Sequence, residues 1–213
     1  MLTPERLQIE YLQRRPEIVR RLGYFRSVGQ EGNEVLLSEL AFCVCAANSS
    51  AKAADRAQRK LAESGLLFSD DTQAISSVLL SSHVRFHKNK AKYLIEARRH
   101  LFDQKGLEKA REKHKTQIAL RDYLAEEVMG LGYKEASHFL RNIGYADDIA
   151  ILDRHILKNL RSLGVLRRLP KTLTPKRYKA IERKMARFSR QVRIPFAHLD
   201  LLFWSEETGR IFK

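Results

Sequence analysis

The stretch from Gly130 to His155 constrains this chain more tightly than any other. Gly130 and Gly132, with one leucine between them, force a tight turn after an amphipathic run. Lys134 to Asn142 follow at helical spacing, with Gly144 as the stop. Asp153 comes 19 residues after Lys134 (153 − 134), where a short acidic side chain is well placed to cap the next helix. Two helices joined by such a hairpin leave the first amides of the second helix without partners inside it, so they can donate to one phosphate. The same glycines also suit an ordinary helical corner.

Lys134 separates the two readings. A lysine in the first turn of a helix opposes the macrodipole. Beside a bound phosphate and partly desolvated, it would lose its proton more easily and become a nucleophile. A solvated surface lysine is the plain alternative. Asp153 follows the apolar run Ile149–Leu152. A carboxylate there either caps a helix or, in a buried cleft, stabilises an oxocarbenium-like sugar and relays protons to the amine. Arg154 and His155 come next and are placed to touch phosphate, although His155 equally suits a cap or packing role.

Charge favours the same class of partner. The 213 residues include 40 Lys and Arg against 25 Asp and Glu, a formal net charge of +15. Such a surface draws polyanions, DNA or RNA first. A membrane surface fits less well, because no basic helix carries an uninterrupted apolar face of Trp and Phe. No run is apolar enough for a spanning helix or a signal peptide, which leads us to expect a cytoplasmic, nucleoid-associated protein of a prokaryote. The two cysteines, Cys43 and Cys45, are too few for an iron–sulfur cluster and read as buried thiols. His83 and His87 stand four apart, but no third ligand completes a zinc set. Asp147–Asp148 reads as a turn. We expect no metal and no cofactor.

Helical periodicity runs through the whole chain. Thr3-Pro4-Glu5 caps a first helix, which Pro16 should break or restart. Residues 34–47 are apolar nearly throughout and predict a central buried helix, ended by Asn48-Ser49-Ser50. Further helices are predicted over 51–63, from Asp70 to about 82, over 86–102 with Gly106 marking a stop, and over 115–129, 134–142 and 153–163. Thr174-Pro175 caps a long basic helix to about 191. Pro195 opens a last helix ending near Phe203, and a polar tail follows from Trp204. No convincing strand is present, so the fold class is all-α.

The segment from about Gln117 to Ile156 resembles the helix-hairpin-helix DNA glycosylase superfamily. Four blocks sharpen the likeness: Phe42-Cys-Val-Cys-Ala-Ala-Asn48-Ser-Ser-Ala, Arg85-Phe86-His-Lys-Asn-Lys-Ala-Lys-Tyr93, Lys134 to Gly144, and Trp204-Ser with Thr208-Gly209 and the final Lys213. Together they are similar to the type-2 8-oxoguanine DNA glycosylase/lyases of archaea and some thermophilic bacteria, over nearly the whole chain.

The resemblance implies two helical subdomains flanking a cleft. A six-helix barrel over 33–145 would carry the hairpin, and residues 1–32 with 146–213 would form the second lobe. It implies that Lys134 attacks C1′ of the damaged nucleoside and expels 8-oxoguanine from double-stranded DNA. The resulting Schiff base makes β-elimination easy, and Asp153 would steady charge at the sugar. The target base must leave the stack. Phe86 and Trp204 are candidates to sandwich it, Lys213 to tell the lesion from guanine through its terminal carboxylate, and Asn48 to hold the widowed cytosine. Each has a plainer role as core residue, frayed end or helix cap. Gly130 and Gly132 would grip phosphate. The site needs only a monomer. A glycosylase for another lesion and a non-catalytic helix-hairpin-helix DNA-binding protein are the alternatives.

Overall fold

The computed structural model describes residues 3–209 and 211. Among them are eleven α-helices and no strand. The helices are α1 (Pro4–Val28), α2 (Asn33–Ala46), α3 (Ala51–Glu63), α4 (Thr72–Ser81), α5 (His87–Leu101), α6 (Gly106–Lys113), α7 (Gln117–Glu127), α8 (Tyr133–Asn142), α9 (Arg154–Ser162), α10 (Pro175–Gln191) and α11 (Phe196–Thr208). Most starts follow from local chemistry. Thr3, Ser50, Asp71, Thr116, Asp153 and Thr174 each accept a backbone N–H of the helix they open.

Two apolar cores form. One runs from Val28 through α2–α8 to Ile149. The other joins α1, through Leu7, Tyr11, Ile18, Leu22 and Phe25, to the chain from Ala150 to Phe203. The apolar helix α2 is buried as its composition requires, and Cys43 and Cys45 are buried thiols within it that form no disulfide. Helix α8 lies against α2, α7 and α1, so it bridges the two cores and points its N-terminus at the cleft between them. The junction is close: a Cβ on Gly144, whose φ is +75°, would lie 2.6 Å from Cα of Arg26 in α1.

Three elements differ from the sequence expectation. Helix α1 runs unbroken through Pro16, whose exposed position leaves the carbonyl it cannot satisfy on the water side. Residues 33–145 hold seven α-helices, one more than expected, because Gly106 opens α6 rather than stopping α5. Its φ is an ordinary −57°. Glycine is required there by packing, since a Cβ would lie 2.1 Å from the His100 carbonyl oxygen. Finally, α11 continues to Thr208 and stops at Gly209 with φ +76°, so Trp204 sits on a helix and not in a tail.

Candidate active site

The hairpin uses its two glycines differently. Gly130 has φ +88°, and a Cβ there would lie 2.5 Å from Cβ of Tyr93. Both facts exclude any other residue. Gly132 is extended (φ −85°, ψ −179°) and is the N-cap of α8 without a side-chain cap. The N–H groups of residues 133–135 therefore have no acceptor among the described residues, which is the state an anion site needs.

Lys134 is the second residue of α8, since Tyr133 is the first. Its side chain is 26% exposed, and Nζ lies 3.4 Å from Oε1 of Glu135. Neighbours on a helix seldom face each other. Here the pair forms because both side chains leave the first turn toward the same cleft.

Asp153 caps α9. Its Oδ1 accepts the N–H groups of His155 and Ile156 at 2.8 Å each. The extended run before it is held by α10 through two side chains one turn apart. Tyr178 Oη donates to the Ala150 carbonyl at 2.6 Å and accepts from the Leu152 N–H at 3.1 Å. Glu182 Oε1 accepts the Ala150 N–H at 2.8 Å. Fully buried Arg121 on α7 fixes Glu182 with two 3.0 Å bonds, one to each carboxylate oxygen. The segment that aims Asp153 is thus tied back to the first core by a buried ion pair.

A cleft of about 760 Å³ opens between the cores. Lys134, Asp153, Arg154, His155, Asn48 and Trp204 all line it. Asn48 stands exposed at the end of α2 with φ +55°. Buried Lys90 pins both residues beside it: Nζ donates to the carbonyls of Cys45 (2.9 Å) and Ala47, and to Oγ of Ser49 at 3.2 Å. Burial pushes this ammonium down to about 8. Ser49 Oγ also accepts the Arg85 N–H at 3.0 Å.

Phe86 is not brought to the cleft wall. It has φ +58°, is 56% exposed, and lies under the Arg85 guanidinium at 5.5 Å. Lys213 lies outside the described residues.

The cleft also holds residues that the sequence does not single out: Glu135, His138, Arg141 and Asp200. Asp200 precedes Trp204 by one turn of α11, a spacing that becomes meaningful once the helix is known to continue. Arg141 Nη1 lies 3.5 Å from Asp200 Oδ2. Burial raises the Asp200 pKa above the ordinary carboxylate range and Arg141 opposes it, while the charge of Asp153 adds to the rise.

Known proteins share this geometry. The family model for 8-oxoguanine DNA glycosylase matches residues 18–194. The chain belongs to the 8-oxoguanine DNA glycosylase family. A curated relative from Fusobacterium nucleatum, an 8-oxoguanine DNA glycosylase/AP lyase, is 41% identical over 196 residues, covering 91% of this chain and 89% of its own. The Methanocaldococcus jannaschii glycosylase/AP lyase is 34% identical, with 92% and 91% covered. The crystal structure of the M. jannaschii glycosylase superposes with a TM-score of 0.87 at 31% identity, over 99% of this chain and 95% of that one. The M. jannaschii enzyme in complex with a 15-mer DNA containing 8-oxoguanine gives 0.86 at 31% identity, over 97% and 99%. In this family member the hairpin, the lysine and the capping aspartate therefore occur on the fold of 8-oxoguanine glycosylases.

Proposed function

We infer that this chain excises 8-oxoguanine from duplex DNA and nicks the abasic strand, as the names of its relatives state for them. One observation supports the mechanism above the others. Lys134 stands on a helix packed in the first core and Asp153 between residues packed in the second, yet both line the same space with Trp204.

In this reading the amides of residues 133–135, with Arg154 and His155, receive a phosphate beside the flipped nucleotide. Lys134 Nζ attacks C1′ as the bond to the base breaks. Oδ1 of Asp153 is occupied by its cap, while Oδ2 has no hydrogen-bond partner among the described residues and faces the developing sugar cation. The Lys134 iminium then acidifies C2′, and elimination expels the 3′ phosphate. Trp204 stacks on the freed base, and the Asp200 carboxyl, one turn earlier, is placed to bond its polar edge. Lys213 helps tell the lesion from guanine. Asn48, held in its left-handed conformation, bonds the base left without a partner. Exposed Phe86, beside the cleft-lining Arg85, is suited to press into the stack. The two cores support subdomains near 33–145 and 1–32 with 146–213, with Val28, Ala146 and Ile149 packed into the first core across those bounds. Both reactive groups come from one chain, so a monomer suffices. The protein works where prokaryotic DNA lies, in the cytoplasm at the nucleoid.

The test is borohydride trapping. Duplex DNA with one 8-oxoguanine opposite cytosine should give a covalent adduct that needs both the lesion and Lys134. Lys134→Gln and an undamaged duplex are the controls. Tight binding without adduct or base release would sink the mechanism. It would leave another lesion or a DNA-binding module.

A further inference from the structure

The attack by Lys134 leaves its proton unassigned, and the cleft holds a group suited to take it. Glu135 is the third residue of α8, where a glutamate ordinarily folds back to cap its own helix. Its carboxylate lies back over Gly132, where a Cβ would be 3.0 Å from Oε2, yet it does not close the capping bond. Among the described residues its carboxylate accepts no backbone N–H, and its ion-pair partner is the Lys134 amine at 3.4 Å. The carboxylate is 16% exposed and lines the cleft. A cap that caps nothing and contacts the nucleophile calls for a chemical role.

We propose that Glu135 is the base that removes the Lys134 proton and passes it onward. This rests on Lys134 being the nucleophile. The protons balance as follows. Lys134 ammonium gives one proton to Glu135 Oε1, leaving a neutral amine and a neutral acid. The amine lone pair forms the Nζ–C1′ bond, and the C1′–N9 pair departs with the base, which as an anion collects that proton. Glu135, ionised again, takes the second proton from the secondary ammonium. It delivers this proton to O4′ as the C1′–O4′ bond opens. The third proton stays on the iminium, so the charge of +1 is conserved.

Substrate binding itself favours the first transfer. While the cleft holds water, the ammonium–carboxylate pair is solvated. When a nucleotide displaces that water, a charged pair costs more than a neutral amine beside a neutral acid. Charged groups of both signs surround the pair, Arg154 at the start of α9 among them. Lys90 from α5, Arg85 from the connection before it and Arg141 on α8 are cationic. Asp153 from α9 and Asp200 from α11 are acidic, and His138 and His155 are the titratable rings. Of these groups, Glu135 is the carboxylate in ion-pair contact with the lysine.

The experiment compares wild type, Glu135→Gln and Glu135→Asp in single-turnover excision and in borohydride trapping, across a pH series. Wild type must first give the adduct. If it does not, the nucleophile and this role fall together. Given the adduct, Glu135→Gln should excise about 100-fold more slowly near neutrality, the ordinary size of general-base assistance. The deficit should shrink as pH rises, because hydroxide replaces the missing base. Glu135→Asp should recover part of the rate. A Gln variant as fast as wild type, or a deficit of the same size at every pH, would overturn the assignment while leaving Lys134 as nucleophile. If Glu135→Gln melts early, the pH dependence of Glu135→Asp decides instead: a deficit that narrows with pH supports the role and a constant one removes it.

Discussion

Replacing Arg121 with methionine should damage this protein more than almost any other single change. The guanidinium is fully buried, and its Glu182 partner is 8% exposed. Arg121 also bonds Asp122 at 2.8 Å and lies 4.9 Å and 5.4 Å from the rings of Tyr133 and Tyr178. Truncation leaves Glu182 charged and buried, with the Ala150 N–H its remaining hydrogen-bond partner among the described residues. Breaking one side of a buried pair costs about 3–5 kcal/mol. At about 2–4 °C per kcal/mol for a chain of this length, a loss near 4 kcal/mol lowers Tm by about 8–16 °C. The double variant Arg121→Met/Glu182→Leu removes both charges and strands only one amide, at about 1–3 kcal/mol. It should therefore melt above the single variant. Far-ultraviolet circular dichroism melts of the three proteins measure this. A single variant within about 3 °C of wild type, or a double variant no more stable than the single, would refute the claim that the pair anchors the segment before Asp153.

Two further outcomes follow from the same geometry. Asparagine caps helices as well as aspartate, so Asp153→Asn should move stability by less than about 0.5 kcal/mol while excision falls by at least about 100-fold; a parallel loss of both would reduce Asp153 to a cap. Burial holds Lys90 at about 8 in the folded chain, whereas the unfolded chain keeps an ordinary lysine and so binds more protons between these values. Its contribution to stability therefore rises with pH above about 8 and levels off near about 10.4, gaining about 1.4 kcal/mol for each pH unit crossed between them. Urea melts of wild type and Lys90→Met at about pH 7.5 and about pH 10 should show that gain in wild type only; equal gains in both would remove Lys90 as its source.

The parts of this site legible in the sequence are those fixed by local chemistry. Gly130 announces itself because its backbone admits no side chain, and Asp153 because caps are short-range devices. The likeness to known glycosylases supplies the roles of Lys134, Trp204 and Asn48. What stays hidden is decided across the fold. Gly106 looks like a stop in the sequence, yet its reason lies in the carbonyl of His100 packed against it. Trp204 reads as part of a polar tail because the last turn of α11 is polar, although Ser205 is buried and its hydroxyl donates to the Leu202 carbonyl at 2.7 Å. With the helix cut short, nothing shows that Asp200 shares a face with Trp204. Glu135 escapes notice for the opposite reason: it stands next to the most conspicuous residue in the chain, at a position where capping is the ordinary explanation.

The second core is built from both ends of the chain, with α1 packed on α11 around it. During synthesis α1 emerges first, with Leu7, Ile18 and Phe25 waiting for partners that are made last. The helices around Lys134 can gather meanwhile, but Ala150 and Leu152, which lead to Asp153, lack their bonds to Tyr178 and Glu182 until α10 has been added. A chain that ends before α10 therefore carries the proposed nucleophile without the finished segment that presents Asp153. Such a fragment has no organised means of cutting a chromosome, and competence to break a DNA strand arrives only with the final helices.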